Sequence, residues 1–410
     1  MKLVSESGLS TALSRWAAVE ARVVASGNFA TPAALLGFVD RVLPQYRLFV
    51  LNARPGLPGR EGVTYETPFI GPGMRGAPRL EYLPARLSLV PRLFATTRPP
   101  DVVLLHTSLP REGRVSLGVE VNILPAAIEA VRARGGLVVA QLNPRMPYTY
   151  GDAELDVDEV DVAIEIEAAL PTPALRPFDD LSLQIADRVV GQVPPEATLQ
   201  LGIGTVPDAV LAAMTGRRRL RVWSEMVSDG VLRLEQAGAL DPISPIVTSF
   251  VFGSQELYSW LHRNPRVHLL RTETTNDPGR IAAQHAMTSI NAALEVDLFA
   301  QANASRVGNR MYSGFGGQTD FIVGALHSHG GTSIIALPSW HPKANVSTVV
   351  PVLRGPITSF QNGFIVSENG AATVWGYDQD DQARQLISEV AHPSLRDELR
   401  QAGRSLGLAV

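Results

Sequence analysis

Two short, nearly uninterrupted apolar runs constrain this chain most: Asp101-Val102-Val103-Leu104-Leu105-His106 and Leu137-Val138-Val139-Ala140-Gln141-Leu142. Between them lies a helix-patterned stretch, 125–134, that ends at Gly135-Gly136. Apolar runs of this length without polar alternation fit strands buried on both faces. A helix between two such strands specifies a crossover, and so a mostly parallel sheet covered on both sides.

The same alternation extends outward. Residues 8–43 read as helical, with Leu9, Leu13, Trp16, Val19 and Val23 at helix spacing until Gly27-Asn28, and Thr31-Pro32 starting a second helix. A strand follows at 46–52, and the Gly- and Pro-dense stretch 55–76 reads as a long surface loop. Residues 162–167 alternate as an edge strand would. Repeated proline in Leu170-Pro171-Thr172-Pro173-Ala174-Leu175-Arg176-Pro177 marks a linker. At 410 residues the chain exceeds one ordinary core, and length alone suggests roughly two to three domains. We therefore expect an α/β protein of two similar open domains, 1–178 and 179–410. Strands at 198–201, 245–252, 267–272, 333–337 and 364–366 and a helix at 382–390 build the second.

Two junctions in the second half invite chemistry. Thr198-Leu199-Gln200-Leu201 runs into Gly202-Ile203-Gly204-Thr205-Val206, and Leu220-Arg221-Val222-Trp223 runs into Ser224-Glu225, with a break expected at Asp229-Gly230. Open α/β sheets gather ligands at the carboxyl ends of their strands. A glycine loop whose N–H groups approach a ligand, beside a carboxylate, suits covalent chemistry on an acyl group. Two further glycine or Asx turns stand downstream. Asn276-Asp277-Pro278 reads as a turn or as an amide pointing into a cleft, and Ser313-Gly314-Phe315-Gly316-Gly317 as a bend or as backbone that a large ligand can approach.

Composition removes other chemistries. There are no cysteines, so thiol nucleophiles and thiolate metal sites are excluded. The eight histidines form no ligand pattern, and neither H-E-x-x-H nor G-x-S-x-G occurs, so no metal and no serine hydrolase is expected. A net charge of -4 argues against general nucleic-acid binding. The amino terminus lacks the apolar core of a signal peptide and no apolar stretch reaches membrane-spanning length, so a cytoplasmic protein is expected.

Taken in order, 202–210, Trp223-Ser224-Glu225-Met226-Val227-Ser228-Asp229-Gly230, 289–298 and 312–321 resemble the acetyl-CoA hydrolase/transferase family, as do Gly71-Pro72-Gly73, Gly151-Asp152 and Ala391-His392-Pro393. The resemblance implies two α/β domains with the active site between them, and a homo-oligomer, a dimer or larger. It implies exchange of CoA between an acyl-CoA and a small carboxylic acid, with CoA as substrate, no resident cofactor and no nucleic-acid or membrane partner.

It matches Glu225 to a glutamate that becomes acylated and Asn276 to an amide near the reacting carbonyl. Gly202, Ile203, Gly204, Thr205 and Val206 match the CoA and oxyanion loop; Leu294, Ser313, Gly316 and Gly317 match further CoA contacts. Glu368 matches an auxiliary acid, and Lys343 a CoA phosphate contact that stands one place later than is usual. Ser359-Phe360-Gln361-Asn362-Gly363 and Asn369 also depart from the family pattern. Acyl-CoA hydrolysis through the same glutamate, and a CoA-binding sensor without catalysis, are the alternatives.

Overall fold

The computed structural model describes residues 1–173, 177–202, 204–355, 357 and 359–410. They group into two units. One holds Met1–Pro173, Pro245–Thr275 and Ser313–Gly316; the other holds the described residues of 174–244, then Asn276–Tyr312 and Gly317–Val410. The grouping differs from a single cut near 178, because two later stretches belong with the amino-terminal residues.

The first unit is built on eight strands in the order Lys2–Leu3, Val162–Glu165, Leu137–Leu142, Val102–Thr107, Ala21–Ala25, Tyr46–Phe49, Val63–Thr67 and Leu80–Tyr82. Every pairing is parallel. The apolar runs at 102–105 and 138–140 are fully buried, as strands covered on both faces must be. The helix Leu124–Ala133 supplies the crossover, packing Ala127, Ile128 and Val131 inward.

Three expectations fail here, each for a tertiary reason. The helical reading through Val23 is wrong: the helix is Glu6–Leu13, and Ala21–Ala25 is a strand. Its β-branched Val23 and Val24 pair with strands on both sides, which overrides a spacing that suits a helix equally well. The stretch 55–76 contains an interior strand, Val63–Thr67, buried at all five positions. Three of its glycines are there for proximity, since a Cβ on Gly62, Gly71 or Gly73 would strike the backbone of Pro44, Ala53 or Arg54. Val162–Glu165 is not an edge strand, because Lys2–Leu3 pairs outside it.

In the second unit six strands lie in the order Ala371–Thr373, Phe364–Val366, Thr332–Ala336, Met287–Ala292, Thr198–Leu201 and Arg221–Trp223. The first pair is antiparallel and the rest parallel. Helices Asp180–Val190 and Thr205–Ala213 pack together, the first capped by Asp179, whose Oδ1 accepts from Ser182 N–H at 2.8 Å. Asp229-Gly230 is not a break. Ser228 caps a helix, Asp229–Gln236, and Gly230 lets that helix approach Leu211, where a Cβ would collide. The carboxyl terminus adds a helix that the periodicity did not reveal, Arg396–Ser405, polar except where Leu399 and Gly403 meet the core. Among the described residues no helix is long and apolar enough to cross a membrane.

Candidate active site

Thr198–Leu201 and Arg221–Trp223 are parallel neighbours with Leu199 opposite Val222. The residues that follow them, Gly202 and Ser224-Glu225, therefore share one edge of the sheet. Ser224 is buried, and its Oγ lies 3.4 Å from the N–H and the carbonyl of Leu201 and from Met226 N–H. That hydroxyl ties the two strand ends together and fixes the backbone from which Glu225 projects.

Glu225 Oε2 accepts a hydrogen bond from Asn276 Nδ2 at 2.7 Å. Asn276 is fully buried, and its backbone is held by Asp277, whose Oδ1 accepts from Arg280 N–H at 2.7 Å and caps the helix Pro278–Ala282. Gly317 caps the helix Gln318–His327 with φ of -99°, a conformation open to any residue. Its glycine is required by space: a Cβ there would overlap both Glu225 Oε2 and Asn276 Nδ2. Three chain segments distant in sequence thus converge on one carboxylate oxygen.

Glu225 keeps some accessible surface but is walled by protein. Burial, opposed by the Asn276 hydrogen bond and assisted by the charge of Asp320, pushes its pKa up to about 7. Asp320 is buried on the first turn of the helix that Gly317 caps. A glutamate with its ordinary pKa would be fully ionised at neutral pH; this one is near the midpoint of its titration, and it is a stronger base when ionised.

The other candidates are placed as follows. Gly202 donates its N–H to Ile290 O at 3.1 Å, so that group serves the sheet. Gly204 has φ of +137°, which only glycine adopts readily, and caps the helix Thr205–Ala213. Gly204 and Thr205 are exposed and Val206 is half-buried; the first N–H groups of such a helix have no acceptor within it. Ile203 lies outside the described residues.

Leu294 is half-buried and donates its N–H to Asn303 O at 2.7 Å. Glu368 accepts from Ser339 N–H at 2.9 Å and from Ser339 Oγ. Lys343 is exposed between the paired strands Trp340–His341 and Val346–Ser347. Ser313 and Gly316 belong to the first unit, where Ser313 O accepts from Ile70 N–H at 2.8 Å and Gly316 O from Leu87 N–H at 2.9 Å.

Sequence reasoning missed Asp320 and a buried network beneath Gly202. In that network Gln200 Oε1 accepts from Ser289 Oγ at 2.8 Å and from Asn291 Nδ2 at 3.0 Å. Asp320 had a usable signal, three residues beyond a glycine that starts a helix and so one turn along. The Gln200 network had none, since it depends on which strands pair. Among the described residues no group of three His, Asp or Glu side chains is arranged to hold a metal ion.

Residues 253–403 match the acetyl-CoA hydrolase/transferase C-terminal domain. A 4-hydroxybutyrate coenzyme A transferase from Clostridium kluyveri is 37% identical over 335 residues, covering 78% of this chain and 76% of that protein. The chain belongs to the acetyl-CoA hydrolase/transferase family. A second relative in this family, a succinyl-CoA:acetate/propanoyl-CoA:succinate CoA transferase from Fasciola hepatica, is 34% identical over 411 residues, covering 93% of this chain and 84% of that protein. The crystal structure of RipA from Yersinia pestis superposes with a TM-score of 0.90 at 27% identity, covering 99% of this chain and 98% of that one. Family membership bears out the resemblance read from Glu225, Asn276 and the 312–321 segment.

Proposed function

We propose that this protein is a CoA-transferase that moves CoA from an acyl-CoA thioester to a free carboxylate, with Glu225 as the covalent relay. The observation that carries the reading is the Glu225 carboxylate held by Asn276 at 2.7 Å and pressed against Gly317 at the start of a helix. The relatives' names supply the substrate class, acyl-CoA and a small carboxylic acid.

In the first step a carboxylate oxygen of Glu225 attacks the thioester carbonyl. The C–S bond breaks, CoA leaves as thiolate, and an acyl-glutamyl anhydride remains. The thiolate then attacks the glutamyl carbonyl and expels the first acid as its carboxylate, leaving a glutamyl-CoA thioester. An incoming carboxylate reverses the sequence and departs as the new acyl-CoA. Each attack puts negative charge on a carbonyl oxygen. Asn276 Nδ2, and the backbone N–H groups at the amino end of Gln318–His327, are the donors suited to receive it. Asn276 therefore has two tasks, holding the nucleophile at rest and polarising the carbonyl during attack. CoA enters as a substrate and needs no resident cofactor. A homo-oligomer, as the family resemblance implies, and a cytoplasmic location complete the reading.

Hydrolysis is the second reading, favoured by the accessible surface that Glu225 retains. Water reaching the anhydride or the thioester would turn the same relay into an acyl-CoA hydrolase. Incubation with acetyl-, propionyl-, butyryl- and succinyl-CoA, with and without a second carboxylate, separates the two. A transferase makes a new acyl-CoA only when the acid is present. Free CoA released at equal rate without acceptor would replace this reading with hydrolysis, and release of neither product would remove both.

A further inference from the structure

The glycine loop and the nucleophile are bracketed by residues that bond to one another. Upstream, Ser224 Oγ lies 3.4 Å from the N–H and the carbonyl of Leu201, and each of these residues stands immediately before its segment. Downstream, Ser228 Oγ donates to Asp208 Oδ1 at 2.7 Å. Leu201 and Asp208 thus flank 202–207, and Ser224 and Ser228 flank Glu225-Met226-Val227. The first tie joins two strand ends. The second joins two helices, Thr205–Ala213, which carries Asp208, and Asp229–Gln236, which Ser228 caps.

An acid near the start of a helix ordinarily serves that helix, through its dipole or a free N–H. Asp208 is turned elsewhere. Its Oδ1 receives the hydroxyl of the neighbouring helix cap, and among the described residues its carboxylate takes no N–H of its own helix. Ser228 is 6% exposed. A serine hydroxyl has one proton to give. With that proton on Asp208, the Ser228 oxygen accepts from Gly230 N–H at 3.3 Å, so the carboxylate orients the cap of the second helix. Gly230 in turn lies against Leu211 of the first helix, where a Cβ would collide.

Taking Glu225 as the relay of the proposed function, we infer that Asp208 is a positioning residue for CoA transfer: through Ser228 it fixes the backbone that carries Glu225 relative to the glycine loop. The two ties are unequal. The Ser224 contacts at 3.4 Å are longer than the usual N–H···O range, whereas a 2.7 Å bond from a hydroxyl to a carboxylate is short and charge-assisted. The downstream tie is therefore the stronger one. Without it the chain after Glu225 is free to shift, and the shift passes to the carboxylate that meets Asn276 at 2.7 Å. Misplacing a reacting group by about 1 Å can cost about 100-fold in rate.

Acyl exchange between butyryl-CoA and acetate, measured on the full-length protein and on Asp208→Ala, Ser228→Ala, the double variant and Asp208→Asn, tests this. Each single alanine variant should lower kcat about tenfold or more and leave KM for butyryl-CoA within about twofold. The double variant should be no slower than the slower single one, because both changes remove the same bond. Asp208→Asn keeps an oxygen acceptor and should recover most of the lost kcat. Ser228→Ala also removes a helix cap; if it fails to fold, Asp208→Ala and Asp208→Asn still decide the matter. Parent kcat in Asp208→Ala, even with a lowered Tm, would reduce Asp208 to a structural role and overturn the inference. Independent losses that multiply in the double variant, a rise in KM that accounts for the whole effect, or no recovery in Asp208→Asn would do the same. Glu225→Ala is the control: exchange surviving there removes the relay itself, whereas exchange lost there and unchanged in Asp208→Ala removes only the role of Asp208.

Discussion

At the scale of single residues, Glu225 is placed and tuned by a few neighbours. Its pKa of about 7 lies above the ordinary 4.5, so kcat/KM should rise with pH through a midpoint near 7 as the nucleophile ionises. Asp320→Asn removes a like charge and should move that midpoint to lower pH, which a pH–rate profile on one acyl-CoA would report; an unmoved midpoint would remove Asp320 from the account. The same shift has a cost. A carboxyl whose folded pKa is raised favours folding most below its unfolded pKa of 4.5 and loses that contribution as pH climbs through 7, up to about 3 kcal/mol. Gly317→Ala puts a methyl where Glu225 Oε2 and the buried Asn276 Nδ2 stand, and should lower kcat by about 100-fold or more, with a destabilisation of about 1–3 kcal/mol from the overpacking. Near-normal turnover in that variant would show that the close approach is not needed.

At the scale of elements, strand pairing decided what local pattern left open. Val63–Thr67 was hidden by flanking glycines and prolines, and Ala21–Ala25 by a spacing compatible with a helix. Both became legible only with their partners in place. Strand Val63–Thr67 also brings Glu66, 0% exposed, to Arg22 at 2.7 Å and Arg47 at 3.0 Å. Burial pushes the Glu66 carboxyl up, and the two guanidiniums outweigh it, holding its pKa below 4.5. A depressed carboxyl contributes stability above its unfolded pKa and loses it as pH falls through the folded one. Glu66→Gln should therefore cost roughly 3 kcal/mol at pH 7, measured by denaturant unfolding, with the deficit shrinking below pH 4. A deficit independent of pH would mean that packing, not charge, sets it. By contrast, the buried runs at 102–107 and 137–142 and the crossover helix between them were readable directly, because strands covered on both faces carry their own signature.

At the scale of the whole molecule, the α/β class and the family could be read from sequence because motifs recur in order along most of the chain. The composition of the two units could not. Pro245–Thr275 and Ser313–Gly316 group with the amino-terminal residues, and nothing local to those stretches records a return. Of the candidate site, Glu225, Asn276 and Gly317 could be singled out in sequence by type and order, whereas the 2.7 Å contact and the influence of Asp320 depend on three segments meeting. What unites these features is the claim that Glu225 becomes covalently bound to CoA. Incubating the protein with an acyl-CoA in the absence of acceptor acid, followed by mass spectrometry of the peptide containing Glu225, tests it directly. The account predicts a CoA adduct on Glu225 that disappears on adding a carboxylate and never forms in Glu225→Ala. Steady acyl exchange with no adduct, or exchange by Glu225→Ala, would contradict it.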